Sequence, residues 1–378
     1  LVRADTAGAR TPSGGLAEQF SGDHPPPAGI PPIPWWGWAG FIGLAVAVYA
    51  NSLPNGFHYD DTSTILQNPA VQRIERLPEH FRSVTIGKQE GTPSYRPLVM
   101  VSYGLNYWWG GTNPEGYHVV NIALHVLASL LVVLLAWNLL GHADAALLGG
   151  LAFALHPIHT EAVNYITARS SVLYSAAALA AVVSFIRFRA IGGPGWLTVS
   201  LIAYLGSLLA KEAAVIVPLL LIGYDVVVRR NGWSHVRNWG PPHVPFVVLT
   251  LAYVAMRRVM MGELMPSAYH ADPAIVGLTF AAVVAKTLSG QLLPINLSVS
   301  HPFGPMRDFT VQSLGALVTT IGLVAVGIVI RRRAPVASYA MWWFPVALLP
   351  VGALTLITPL ALYQENRGYL SAAALAVL

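Results

Sequence analysis

Apolar runs alternate with short polar joints along most of this chain. A helix needs about 20 apolar residues to cross the roughly 30 Å hydrocarbon core of a bilayer. On that length the pattern predicts spans at about 36–50, 118–140, 144–163, 171–188, 196–210, 213–228, 244–260, 311–330 and 338–357, with a last one starting near Tyr369. The expected fold class is therefore an all-α polytopic membrane protein. Residues 51–117 are polar or mixed and form a large first outer loop. Within it Leu98–Trp109 is apolar but short and rich in Trp and Tyr, which suits an interfacial helix. Residues 1–34, rich in Pro, Gly and Ala, have no apolar core before Trp35 and read as a disordered cytoplasmic tail rather than a signal peptide. Residues 35–378 are the membrane core. Ser371–Leu378 stops inside an apolar run too short to span, so the chain is expected to be truncated at its C-terminal end.

Basic residues orient the spans, because loops rich in Lys and Arg stay cytoplasmic. Arg187 and Arg189, then Arg229, Arg230 and Arg237, then Arg331, Arg332 and Arg333 mark three loops on that side. Between Arg230 and Arg331 the chain must then cross an even number of times. The runs 244–260 and 311–330 supply two crossings. The stretch Pro273–Leu293, which carries Lys286 and Gln291, is therefore expected to be re-entrant or interfacial within an outer loop spanning 261–310. The same topology puts Arg257 and Arg258 outside, against the usual bias.

Composition supports the membrane class and closes several others. The chain has 378 residues, 54% hydrophobic and 10% charged; soluble domains carry about 25% charged residues. The net charge of +5 sits mostly in loop arginines and no base-reading or phosphate-cradling motif accompanies it, so no nucleic-acid partner is expected. There is no cysteine, which excludes disulfides, thiolate catalysis and zinc–thiolate sites.

The ionisable groups on the outer side are the candidates for chemistry, since charges near lipid are costly to keep. Asp60 and Asp61 follow the first span by about ten residues. A carboxylate in such a partly desolvated place gains proton affinity, as a general base requires, and its neighbour raises it further. The same Asp-Asp-Thr-Ser-Thr stretch also reads as a helix N-cap. His156, His159 and Glu161 lie between two apolar runs. His156 and His159 share a helical face, but Glu161 falls about 140° from His156 at 3.6 residues per turn, and Pro157 interrupts the helix. No metal site is expected there. Arg96, Arg169, Lys211, Arg257, Arg258 and Arg367 are the outer cations. Arginine suits a phosphate held while charge develops on it, although snorkelling to lipid headgroups is the plainer use. Lys211-Glu212 reads equally as a structural ion pair.

These residues fall into a recognisable order. Tyr59-Asp60-Asp61, Arg96-Pro97-Leu98, Gly116–Asn121 with Leu124-His125, Phe153–Val163 with Arg169, and Lys211-Glu212 together resemble the membrane core of the transmembrane and tetratricopeptide-repeat O-mannosyltransferases, a core shared by bacterial relatives. The likeness runs from about 57 to 225. Glu365-Asn366-Arg367-Gly368-Tyr369-Leu370 resembles a degenerate form of that family's Glu-Arg-Tyr-Leu-Tyr-Leu motif, departing by an inserted Asn and a Gly for an aromatic. The resemblance implies a GT-C type helical bundle whose large first outer loop carries the catalytic acid. It also implies a polyprenyl-phosphate sugar as donor, mannose in the family, with no cofactor and no divalent metal. A protein Ser/Thr or another hydroxyl would be the acceptor.

On this reading Asp60 or Asp61 is the base. His156, His159, Glu161, Lys211, Glu212 and Glu365 shape the substrate site, and Arg169, Arg96 or Arg367 holds phosphate. One base and one attack imply inversion at the sugar carbon. The expected location is a bacterial inner membrane with the site facing the periplasm. Two other classes stay open: a transporter or flippase for a lipid-linked sugar, disfavoured by mid-span positions that are mostly Ala, Leu and Val, and a non-catalytic membrane scaffold for a repeat domain.

Overall fold

The computed structural model describes residues 29–82, 85–86, 93–232, 236–261, 272–299, 301, 303–354 and 363–378. Apart from a two-residue antiparallel ladder, β1 (Thr85–Ile86) with β2 (Pro93–Ser94), its regular structure is helical. The longer helices are α1 (Trp35–Tyr49), α2 (Pro97–Gly110), α3 (Glu115–Leu140), α4 (Ala143–Ala154), α6 (Arg169–Ile191), α7 (Pro194–Ala210), α10 (Val244–Met261), α11 (Pro273–Leu292), α12 (Val311–Ile330) and α13 (Pro335–Leu354). Short helices α5 (Thr160–Asn164), α8 (Val217–Gly223), α9 (Val236–Trp239) and α14 (Tyr369–Leu375) join them. Five helical stretches, Glu115–Leu140, Ile166–Ile191, Pro241–Met261, Pro273–Leu292 and Val311–Ile330, are long and apolar enough to cross a membrane, as befits an integral membrane protein.

Local chemistry sets the ends. Pro97 and Pro194 stand in the first turn of their helices, where their missing N–H costs nothing. Gly141 closes α3 in the left-handed conformation (φ 74°) that glycine adopts without strain, its N–H bonded to Trp137 O. Helix α6 packs against α3 and α7, α12 against α11 and α13, and α14 against α13. Inside the bundle, buried hydroxyls bond backbone rather than stay unpaired: Ser200 Oγ donates to Ala181 O at 2.7 Å and Ser207 Oγ to Tyr174 O at 2.8 Å, tying α7 to α6.

Two expected spans are not continuous helices. The run 144–163 breaks after Ala154 into a 3₁₀ turn (Pro157–His159) and α5. Pro157 has no N–H to continue the ladder. The twelve residues of α4 rise about 18 Å, short of a bilayer crossing. The run 213–228 likewise divides into a 3₁₀ turn (Glu212–Ile216), α8 and a π turn (Tyr224–Val228). Pro273–Leu292 forms one uninterrupted helix against α12 and α13. It contains no reversal, so it is not a re-entrant hairpin. The expected tail 1–34 lies outside the described residues up to position 28.

The three basic loops meet at one end of the bundle. Arg189 Nε pairs with Asp225 Oδ1 at 2.9 Å, Arg229 Nη1 donates to Arg189 O, His243 Nε2 meets Asp225 Oδ2 at 2.8 Å, and Arg230 Nη2 donates to Arg332 O at 3.2 Å.

Candidate active site

Asp60 and Asp61 are adjacent in sequence and differ in environment. Asp61 is 1% exposed. Its Oδ2 accepts the N–H of His58 and its Oδ1 the N–H of Thr167, both at 2.9 Å. Burial pushes its carboxyl up, against the pull of those two hydrogen bonds. It fastens the first loop to the joint before α6. Asp60 is half-buried and, among the described residues, its carboxylate has no hydrogen-bond or ion-pair partner. Its backbone N–H donates to Tyr165 Oη at 3.1 Å. Tyr59, just before it, has φ 45°, a conformation a tyrosine rarely adopts. Its ring stands edge-on to Tyr165. Such strain marks a backbone held by its surroundings just before the Asp-Asp pair. Asp61 stands at the N-cap position of the Thr62–Leu66 turn, but its side chain makes no cap bond there; its oxygens go to His58 and Thr167 instead, so the cap reading of this residue is not met.

Arg169 is not where a phosphate could reach it. It is fully buried (0% exposed) at the start of α6. Nε donates to Asn121 Oδ1 at 2.7 Å, Nη1 to both oxygens of Ser102 at 3.2 Å, and Nη2 to Tyr117 O at 3.0 Å. The guanidinium also lies 4.7 Å from the Tyr103 ring centre and 5.7 Å from that of Tyr117. Carbonyl dipoles and aromatic faces replace its hydration. The expectation that Arg169 holds phosphate is corrected: it is a strut joining α2, α3 and α6.

The available cations gather instead around Glu212. Arg96 forms a two-point pair with it, Nε–Oε2 3.1 Å and Nη2–Oε1 2.7 Å, and Arg257 Nη1 approaches at 3.6 Å. Burial would raise the Glu212 carboxyl, but Arg96, Arg257 and Lys211 together hold it below the usual carboxylate range. Two arginines thus face one carboxylate in a partly buried place, with the Lys211 amine beside them. Lys211 stands 5.6 Å from the Tyr174 ring centre and donates to Ser171 Oγ at 2.7 Å. Burial, helped by Arg96, brings its ammonium down to about 7. Tyr103 Oη donates to Ile166 O at 3.1 Å, next to the Thr167 N–H that Asp61 accepts, and Arg96 opens the same helix α2 that carries Tyr103. Arg257, placed outside by charge parity against the usual bias, has its use here.

The histidines form a nest rather than a ligand set. His156 Nε2 bonds Gln291 O at 2.8 Å, and its Nδ1 accepts the N–H of Ile158 at 3.1 Å, capping the turn that Pro157 starts. Both ring nitrogens are therefore taken. His159 is 1% exposed, its ring 4.5 Å from those of Phe153 and Tyr369. Burial lowers both histidines, which stay neutral. Among the described residues no three metal-binding side chains converge.

Glu161 is 5% exposed, and its two oxygens accept the backbone N–H of Asn366 (2.9 Å) and Asn366 Nδ2. Burial raises its carboxyl to about 7, those hydrogen bonds notwithstanding. Glu365 accepts from Ser298 N and meets His301 Nε2, both at 2.8 Å, so it anchors the 298–301 loop rather than a substrate. Arg367, half-buried, adds positive potential beside Glu161 and Lys211. The roles of Asn366, Ser171 and Arg257 did not follow from the sequence. Asn121 lay within the motif that carried the resemblance, and its polarity inside an apolar span was its one signal.

No family model matches the chain. Known proteins resemble half of it. Protein O-mannosyl-transferase Tmtc1 of Drosophila melanogaster is 39% identical over 195 residues, 50% of this chain and 22% of that protein. Protein O-mannosyl-transferase TMTC3 of Homo sapiens is 31% identical over 200 residues, 50% of this chain and 21% of that protein. The chain thus spans about a fifth of the length of these relatives. Among solved structures, ArnT from Cupriavidus metallidurans, crystallised with undecaprenyl phosphate, superposes with a TM-score of 0.52 at 14% identity, covering 90% of this chain and 58% of that one. The chain has a GT-C-like helical fold in common with ArnT, and over half its length it is similar in sequence to proteins named O-mannosyl-transferases.

Proposed function

We propose that this chain is the membrane core of a glycosyltransferase. It moves a sugar, mannose by kinship, from a polyprenyl-phosphate donor to a hydroxyl acceptor, a protein Ser or Thr by the same kinship. The site faces the outer, periplasmic side of a bacterial inner membrane. The observation that carries this is the surplus of cations around Glu212, to which Asp60 adds a carboxylate without a hydrogen-bond or ion-pair partner among the described residues. A phosphate-linked lipid needs positive charge at headgroup depth, and a hydroxyl nucleophile needs a base.

In the reaction Asp60 takes the acceptor's proton as its oxygen bonds the sugar carbon. The bond from that carbon to the phosphate oxygen breaks on the opposite side, so configuration inverts. The electron pair stays on the phosphate, where Lys211 and Arg257 stabilise the charge in a water-poor site. Asp61 and Arg169 hold the framework.

The test is transfer by the purified chain in lipid nanodiscs, from polyprenyl-phosphate mannose to a Ser/Thr-rich peptide, followed by mass spectrometry. Wild type should glycosylate the peptide and Asp60→Asn should not. Donor that is carried across a bilayer unchanged, with no product on any hydroxyl acceptor, would replace this reading with transport.

A further inference from the structure

Lys211 is an ammonium with one hydrogen bond. Its Nζ donates to Ser171 Oγ, and no carboxylate among the described residues takes it, because Glu212 is turned to Arg96. An ammonium has three N–H donors, so two have no hydrogen-bond partner among the described residues, with the Tyr174 ring 5.6 Å away. Behind Ser171 the bonds continue. Ser171 Oγ donates to Asn366 Oδ1 at 3.0 Å, and Asn366 gives its backbone N–H and its Nδ2 to the two oxygens of Glu161. Ser171, Asn366 and Glu161 are 1%, 7% and 5% exposed.

With Glu161 ionised, the direction of these bonds is forced. A carboxylate only accepts, so Glu161 turns the Asn366 amide with Nδ2 toward itself. Oδ1 is then presented to Ser171. The hydroxyl must spend its proton there, which leaves a lone pair for the ammonium. A lysine side chain is long and loses rotamer entropy when its head is fixed. Fixing it on a neutral oxygen holds the head in place and leaves its charge uncancelled. A carboxylate in the place of Ser171 would hold it and neutralise it.

We propose that Asn366 and Ser171 are positioning residues. They carry the hold of Glu161 across to Lys211 and keep its two open N–H groups facing the phosphate of the lipid-linked donor. This rests on the glycosyltransferase reading.

The experiment is binding of a polyprenyl phosphate without sugar to the full chain in nanodiscs, with donor KM and kcat for transfer measured in parallel. Ser171→Ala, Asn366→Ala and Lys211→Ala should each weaken binding about tenfold, the effect of one charge-assisted hydrogen bond, and raise KM more than they lower kcat. Ser171→Ala combined with Lys211→Ala should bind no more weakly than Lys211→Ala alone, because the serine acts through the lysine. Wild-type binding in Ser171→Ala, or losses that multiply in the double variant, would overturn the proposal and leave the transferase reading intact. A wild-type chain that neither binds the lipid phosphate nor transfers sugar would remove the transferase reading and this proposal with it. Should Asn366→Ala fail to fold, Ser171→Ala removes a single hydroxyl and decides the matter alone.

Discussion

Asp61 Oδ1 accepts the backbone N–H of Thr167 across 106 positions of sequence at 2.9 Å, and this bond divides the labour of the Asp-Asp pair. Asp61 is occupied by structure, and on the reading proposed above Asp60 is the base. Asp60→Asn should lower turnover by about 10²–10⁴ with an unchanged melting temperature, since Asn keeps the shape but cannot take a proton. Asp61→Asn should instead destabilise by about 1–3 kcal/mol, because its amide can accept from only one of the two N–H groups. Thermal unfolding and transfer rates on both variants decide. Equal losses of turnover with equal stability would refute the division.

Arg169→Ala should behave as a folding variant. It strands Asn121 Oδ1, Tyr117 O and Ser102 in a buried place, a cost of about 1–3 kcal/mol for each unpaired group. Arg169→Lys should not rescue it, since a compact ammonium cannot span the separate acceptors that Nε, Nη1 and Nη2 of the planar guanidinium reach. Molecules of either variant that do fold should bind donor normally. A well-folded Arg169→Ala with a large rise in donor KM would return this residue to the phosphate.

Lys211 carries its charge only below its own pKa, which burial and Arg96 bring to about 7. Arg367 also lowers it, while Glu212 and Glu161 oppose. Donor binding should therefore be stronger near pH 6 than near about pH 8.5, with bound phosphate itself pushing the midpoint upward. Lys211→Arg stays charged throughout and should flatten the profile. A flat wild-type profile would show that another group meets the phosphate.

A chelator should leave transfer at its untreated rate. The ring nitrogens of His156 are spent on Gln291 O and the N–H of Ile158, and His159 faces aromatic rings. Loss of activity with a chelator, restored by one particular divalent cation, would mean that Asp60 works on a metal.

Much of this was legible in the residues. Length and hydropathy located the helices, and the basic clusters at Arg189, Arg229 to Arg230 and Arg332 do share one end of the bundle. What hydropathy could not see was backbone breakage. Leu155 and Val163 are as apolar as their neighbours, yet the chain between them leaves the helix at His156-Pro157. Charge alone also misled at Arg169. From sequence, an arginine at a membrane joint suits a headgroup equally well. Only the distances to Asn121, Ser102 and Tyr117 show its donors used. The opposite holds for Arg257, whose place beside Glu212 depends on a pairing from elsewhere in the chain.

The bond between Glu161 and Asn366 joins residues 205 positions apart. A ribosome adding about 5–20 residues per second needs about 10–40 s to make the second partner after the first. Through that interval the first loop, the histidine joint and the Lys211 turn can already sit in the membrane, but the link that steadies the lysine does not exist. The nascent chain thus passes through the bilayer with its cation cluster unfinished until the turn Glu365–Gly368 brings the part that completes it.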